Sequence, residues 1–136
     1  MTTRIRTVAC TIRDARQRLA TARAYLEAAE LILGDERREF SGVAAGNAVL
    51  AGIAAADAIC GKGQRKCFRG EDHRQAAELL ETAFFDGPKC EKTLLRLLDL
   101  KDAAHYGFQD FSSVSARKAV KLARELVDSA DDDFQR

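Results

Sequence analysis

Lys101 and His105 stand four residues apart in the segment Lys101-Asp102-Ala103-Ala104-His105-Tyr106. On a helix that spacing sets an ammonium and an imidazole on one face. An imidazole titrates near neutrality, so it can take a proton from a ribose 2′-hydroxyl. A cation beside it can hold the phosphate charge that develops. Lys supplies a point charge there, where Arg would supply a planar fork. Asp102 can orient His105 or face water, and Tyr106 can stack or hydrogen-bond. The plainer reading of His105 is a cation that completes a helix C-terminus.

Other chemistry-bearing residues are more scattered. His73 follows Asp72 at a helix start and either touches substrate or serves the first turn. Asn47 and Asp57 are the polar residues of an apolar stretch from Gly42 to Cys60. Each needs a partner, so each faces a cleft or reaches solvent. Lys62, Arg65, Lys66 and Arg69 surround Phe68 against a single acid, Glu71. That group can contact phosphates and stack a base, or it is a solvated loop. Arg4, Arg6, Arg13, Arg16, Arg18 and Arg23 make the N-terminal end basic as well. Of the cysteines Cys10, Cys60, Cys67 and Cys90, none forms a Cys-x-x-Cys pair, so free thiols are expected. A zinc set drawn from Cys60, Cys67, His73 and Cys90 matches none of the usual ligand spacings. No metal or cofactor is implied.

These residues must be positioned by helices. Ile12, Ala15, Leu19, Ala22, Leu26, Ala29 and Leu33 step by three and four, predicting a first helix over Thr11 to Leu33 with Gly34 as its cap. Ser41 caps a second helix that ends near Gly61. In it Ala48, Gly52 and Ala56 recur every fourth residue, which lets a neighbouring backbone approach closely. A loop runs from Gly61 to Glu71. Asp72 starts a third helix ending at Phe85, and Asp86-Gly87-Pro88 breaks it. The fourth helix, Lys89 to Ala104, carries Leu on so many faces that it should be central. A loop from Tyr106 to Ser113 leads to a fifth helix capped by Ser113 or Ser115, with Ala119, Val120, Ala123, Leu126, Val127 and Ala130 as its stripe. Residues 1–10 and 131–136 are expected to fray. Strand signals are nearly absent.

The 136 residues suit one domain, and 46% apolar content is enough for a core. The net charge of +1 excludes neither nucleic acid nor any other partner. No apolar h-region marks a signal peptide, and the Gly42–Cys60 stretch is mostly Ala and Gly with a carboxylate inside it. It reads as a buried helix of a cytoplasmic protein with no membrane partner. The fold class expected is all-α, an antiparallel up-and-down bundle of about five helices.

Several segments then form a pattern in order. Asn47-Ala48 is followed by Ala55-Ala56-Asp57-Ala58-Ile59, by His73-Arg74, and by Leu97-Leu98-Asp99-Leu100-Lys101-Asp102-Ala103-Ala104-His105-Tyr106, ahead of Val114-Ser115 and an Ala-rich last helix. The chain resembles the HEPN superfamily in its small bacterial and archaeal branch. That branch has an Asn-Arg-Ala-Tyr-like segment in helix two, a His after the loop, and an Arg-x-x-Ala-Asp-Tyr motif after helix four. Here Lys101 stands for the Arg and His105 for the Asp. The resemblance implies a homodimer in which two Lys101/His105 pairs face one cleft. It implies RNA or a nucleotide as ligand, and a toxin-like role beside a small nucleotidyltransferase. Metal-independent ribonucleases of the superfamily carry Arg, four to six residues, then His. Arg69 and His73 have three residues between them, Arg96 and His105 eight, and Lys101 and His105 three. That spacing is not met. The alternative is a non-catalytic bundle that binds a partner chain or nucleotide.

Overall fold

The computed structural model describes residues 4–106 and 112–136, with side chains on the fourth helix up to residue 102. Helix α1 spans Ile12–Leu33. Thr11 and Asp14 cap it reciprocally: the Thr11 N–H donates to Asp14 Oδ2 (2.9 Å) and the Asp14 N–H to Thr11 Oγ1 (3.0 Å). Ala15, Leu19, Ala22, Leu26 and Ala29 are buried, the middle of the expected stripe.

Helix α2, Arg38–Gln64, is longer at both ends than the sequence predicts. Its start is set by a local clamp, not by Ser41. Asp35 Oδ1 accepts the Arg37 N–H (2.9 Å), and the Arg37 guanidinium pairs with the same carboxylate while lying 4.3 Å over the Phe40 ring. At the other end Gly61, expected as a terminator, is an interhelical contact. A Cβ there would sit 2.5 Å from Cys10 Sγ and 2.9 Å from the Ala15 Cβ. The helix therefore continues to Arg65, which caps it in the left-handed conformation (φ 56°). Arg65 turns its guanidinium back onto the Gly61 and Lys62 carbonyls.

The small stripe of α2 does receive a neighbour. A Cβ on Gly52 would lie 2.5 Å from Leu97 and 3.2 Å from Leu126, side chains of the fourth and fifth helices. Those are α4, Gly87–Tyr106, and α5, Ser113–Phe134. Leu94, Leu97 and Leu98 of α4 are buried, and Leu95 and Leu100 pack against the core half-covered. Helix α1 runs antiparallel to α2, joined by Arg18–Asp57, and antiparallel to α5, joined by Arg23–Asp131 and Glu30–Arg124. The result is an all-α bundle, as expected. By length and composition α2 could cross a membrane, but 67% of its apolar window is buried inside the fold.

Two expectations fail at the chain ends. Within the expected frayed N-terminus, β1, Thr7–Ala9, pairs antiparallel with β2, Lys66–Phe68, inside the expected loop. The register is Thr7↔Phe68, Val8↔Cys67, Ala9↔Lys66. Strands this short carry no alternation that a sequence pattern can detect. The acidic tail is not frayed either, since α5 runs through Phe134 and Asp133 is only 5% exposed. The Lys62 ammonium reaches Asp133 Oδ1 at 3.1 Å. Lys62→Met should therefore lower stability by about 2 kcal/mol, because it leaves that carboxylate buried and unpaired. The loss is held to that size because the last turn can unwind and rehydrate it. A urea denaturation midpoint unchanged from wild type would show the pair to be inert.

The remaining bounds shift modestly. Helix α3 is short, Arg74–Glu81, and closes at Thr82, before the expected Phe85. Asp72 acts at its start by accepting the Arg74 N–H on Oδ1 (3.1 Å), although His73 occupies the cap position. Helix α5 is capped by Ser112, not Ser113 or Ser115; the Ser112 hydroxyl oxygen accepts the Ser115 N–H at 3.0 Å. The expected Tyr106–Ser113 loop lies mostly outside the described residues.

Candidate functional site

The β2–α3 connection and the C-terminal half of α4 form the walls of a shallow recess of ≈ 110 Å³, lined by Glu71, Asp72, His73, Arg74, Leu98, Lys101 and Asp102. Three of the residues singled out in the sequence, His73, Lys101 and Asp102, meet there. The fourth helix brings Lys101 and Asp102 because its Leu97 and Leu98 are anchored in the core one turn earlier. The side chains of His105 and Tyr106 lie outside the described residues. Their backbone continues α4 beyond Lys101.

His73 is held from one side by Phe68, edge to face at 5.7 Å between ring centres. Its Nδ1 is buried and has no hydrogen-bond partner among the described residues. Burial pushes the imidazole below its ordinary pKa, and Lys101 adds to the effect, with Asp72 opposing. His73 is thus biased toward the neutral form, which can accept a proton. Its NMR titration midpoint should lie below about 6.5, the unperturbed value. Lys101→Ala should raise it toward that value. The sign for stability follows: between the folded and unfolded midpoints the unfolded chain binds more protons, so stability falls as pH drops below about 6.5. It levels off once the folded imidazole is protonated. A midpoint above 6.5 would contradict this geometry.

Arg74 escaped notice in the sequence as anything but part of a pattern. Its Nη2 lies 2.7 Å from Asp99 Oδ1 and 2.7 Å from Asp102 Oδ2, tying α3 to α4. Asp102 is therefore engaged by Arg74, and the recess holds three carboxylates against two cations. An i, i+3 acidic pair on one helix is the signal that could have marked a bridging cation.

The other expected residues do not reach the recess. Asp57 accepts from Arg18 Nε at 3.0 Å and clamps α1 to α2. Burial raises its pKa, with Arg18 opposing. Asn47 donates to the Val43 carbonyl one turn back at 3.0 Å. Arg65 is occupied by carbonyls of its own helix. Among the described residues no group of three His, Cys, Asp or Glu is arranged to hold a metal.

Lys66 and Arg69 are exposed, and the ribbon gives them neighbours that the sequence could not. Continuing the register, Arg6 stands opposite Arg69, whose N–H donates to the Arg6 carbonyl at 2.8 Å. Two guanidinium groups directly opposed across strands repel each other. Arg4, Arg6, Lys66 and Arg69 are all exposed, and none has an ion pair among the described residues. The ribbon adjoins the recess through Phe68, whose ring meets His73. No protein-family model, no curated protein and no solved structure matches this chain.

Proposed function

We propose that the chain is a HEPN-like module that associates with RNA or a nucleotide, holding phosphates on the β1–β2 ribbon beside the His73–Lys101 recess. The observation that carries the reading is the cross-strand placement of Arg6 against Arg69, neither of which has an ion pair with a carboxylate among the described residues. A bound phosphate would offset their repulsion and satisfy two planar donors at once. The recess supplies a neutral-leaning imidazole and an ammonium next to that surface. On this reading two copies pair so that Lys101 and His105 of each face a shared cleft, and the module is the RNA-targeting partner of a small nucleotidyltransferase in the cytoplasm.

A second reading, a non-catalytic interaction module, is favoured by one observation. Arg74, the guanidinium nearest the imidazole in sequence, is committed to Asp99 and Asp102 and would have to leave both to serve a transition state. Both readings meet one experiment. A labelled single-stranded RNA is titrated with the protein at low salt, followed by anisotropy, and the same mixture is run on a gel after hours of incubation. Saturable binding weakened by Lys101→Ala supports the module. Fragments that vanish in His105→Ala add turnover, and binding without fragments selects the second reading. No binding at low salt removes RNA as the ligand.

A further inference from the structure

Two of the four cysteines, far apart in sequence, come together at the ribbon. Cys10 and Cys67 are buried with Ala15 in a small cluster separate from the main core. Cys60 belongs to the main core and precedes Gly61, whose backbone abuts Cys10 Sγ. The Cys10 N–H donates to the Arg65 carbonyl at 2.9 Å, while Cys67 pairs with Val8. The two cysteines are therefore diagonal neighbours on one face of the ribbon, buried in the same small cluster. The Cys10 thiol donates to the Thr11 carbonyl (3.8 Å) and the Cys67 thiol to the Asp57 carbonyl (3.4 Å), and each is a free thiol. The backbone of Gly61 packs against Cys10 Sγ, which a Cβ there would meet at 2.5 Å.

We propose that Cys10 and Cys67 form a reversible disulfide that latches β1 onto β2, with a low-molecular-weight disulfide such as oxidised glutathione as the oxidant. One protein thiolate attacks a sulfur of the small disulfide. A mixed disulfide forms, the reagent's S–S bond breaks, and one small thiol leaves. The second protein thiolate then attacks the protein sulfur of the mixed disulfide, forming the Cys10–Cys67 bond and expelling the second small thiol. The protein gives up two electrons and two protons, and the reagent takes both.

Burial raises the pKa of the Cys67 thiol and pushes that of Cys60 to about 12, so those two thiols are slow to react while the ribbon is closed. Exchange proceeds when β1 lifts. All three residues of that strand are exposed, and its cross-strand partner is a strand of the same length. Once formed, the bond closes a long loop from residue 10 to residue 67 and restricts the unfolded chain. It also fixes the segment that sets Phe68 against His73 and Arg6 beside Arg69.

The full chain is incubated with oxidised glutathione, alkylated and mapped by mass spectrometry. The expected product is a Cys10–Cys67 linked peptide, the loss of two alkylatable thiols, and reversal by dithiothreitol. Tm should rise by roughly 10 °C. Amide exchange of Cys10 and Arg69, which bond across the ribbon, should slow. Cys90→Ser should keep the link, and Cys10→Ser should lose both the link and the Tm rise. Because mapping of the unaltered chain reads the pairing directly, misfolding of a variant does not obscure it. Four thiols still alkylatable after oxidation, a link made to Cys60 instead, or a link with no change in Tm or exchange would each overturn the latch.

Discussion

Replacing Gly63 with alanine is expected to destabilise the fold by about 2 kcal/mol, although Gly63 is exposed and lies in the last turn of a helix. Helix propensity alone gives the opposite sign, a gain of roughly 1 kcal/mol for Gly→Ala. The difference is the neighbour. A Cβ on Gly63 would fall onto the Ala83 carbonyl oxygen, 3.0 Å from its carbon and 3.4 Å from its Cα. Backbone cannot rotate away as a side chain can, so α2 and the α3–α4 connection would have to separate. Gly46, on the same helix, has nothing within 4 Å of its added Cβ. Gly46→Ala should stabilise by about 0.5–1 kcal/mol, the plain propensity term. Denaturant midpoints of the two variants should therefore move in opposite directions. Equal shifts would mean that no close approach exists at Gly63.

The second large effect concerns the ribbon. Arg6→Glu should weaken RNA binding about tenfold at low salt, since it removes one phosphate contact and adds a repelling charge. The same change turns a repulsive cross-strand pair into an attractive one with Arg69, worth roughly 0.2–1 kcal/mol to the ribbon. Binding and local stability thus move oppositely, which separates loss of a contact from loss of structure. Arg6→Glu with Arg69→Glu restores like-charge repulsion and should bind about a hundredfold more weakly than wild type. The checks are an anisotropy titration and amide exchange at Arg69. An Arg6→Glu protein that binds RNA as well as wild type would remove the ribbon from recognition.

What could be read from the chain and what could not divides along contact range. The α1 stripe from Ala15 to Ala29 is legible because helical period and burial coincide locally. Gly52 is legible for the same reason: a four-residue repeat of small residues foretells a close neighbour. Gly61 misleads because a glycine serves packing as readily as termination, and only the position of Cys10 and Ala15 tells which. Asp133 looks like part of a frayed tail until Lys62, a residue of another helix, is placed beside it. The ribbon needs a register between residues 7–9 and 66–68, information that three-residue strands do not carry.

The candidate site divides in the same way. His73 and Lys101 are each recognisable as chemistry-bearing, and their convergence depends on how α3 crosses α4. Arg74 would have been recognised as a bridge only with Asp99 and Asp102 already on one face. Asp57 drew notice as a lone carboxylate in an apolar helix, and its partner Arg18 lies on the antiparallel neighbour. The resemblance in motif order supplied a functional expectation that packing by itself does not.

Phosphate binding by the ribbon is tested most directly by salt. Binding of a short single-stranded RNA, measured from about 20 to 300 mM salt, should give a log–log slope near −3. About four cations (Arg4, Arg6, Lys66 and Arg69) then release counterions at roughly 0.7 each. The slope should flatten by about 0.7 in Arg6→Ala. A slope near zero in wild type, with affinity indifferent to Arg6, would contradict the assignment.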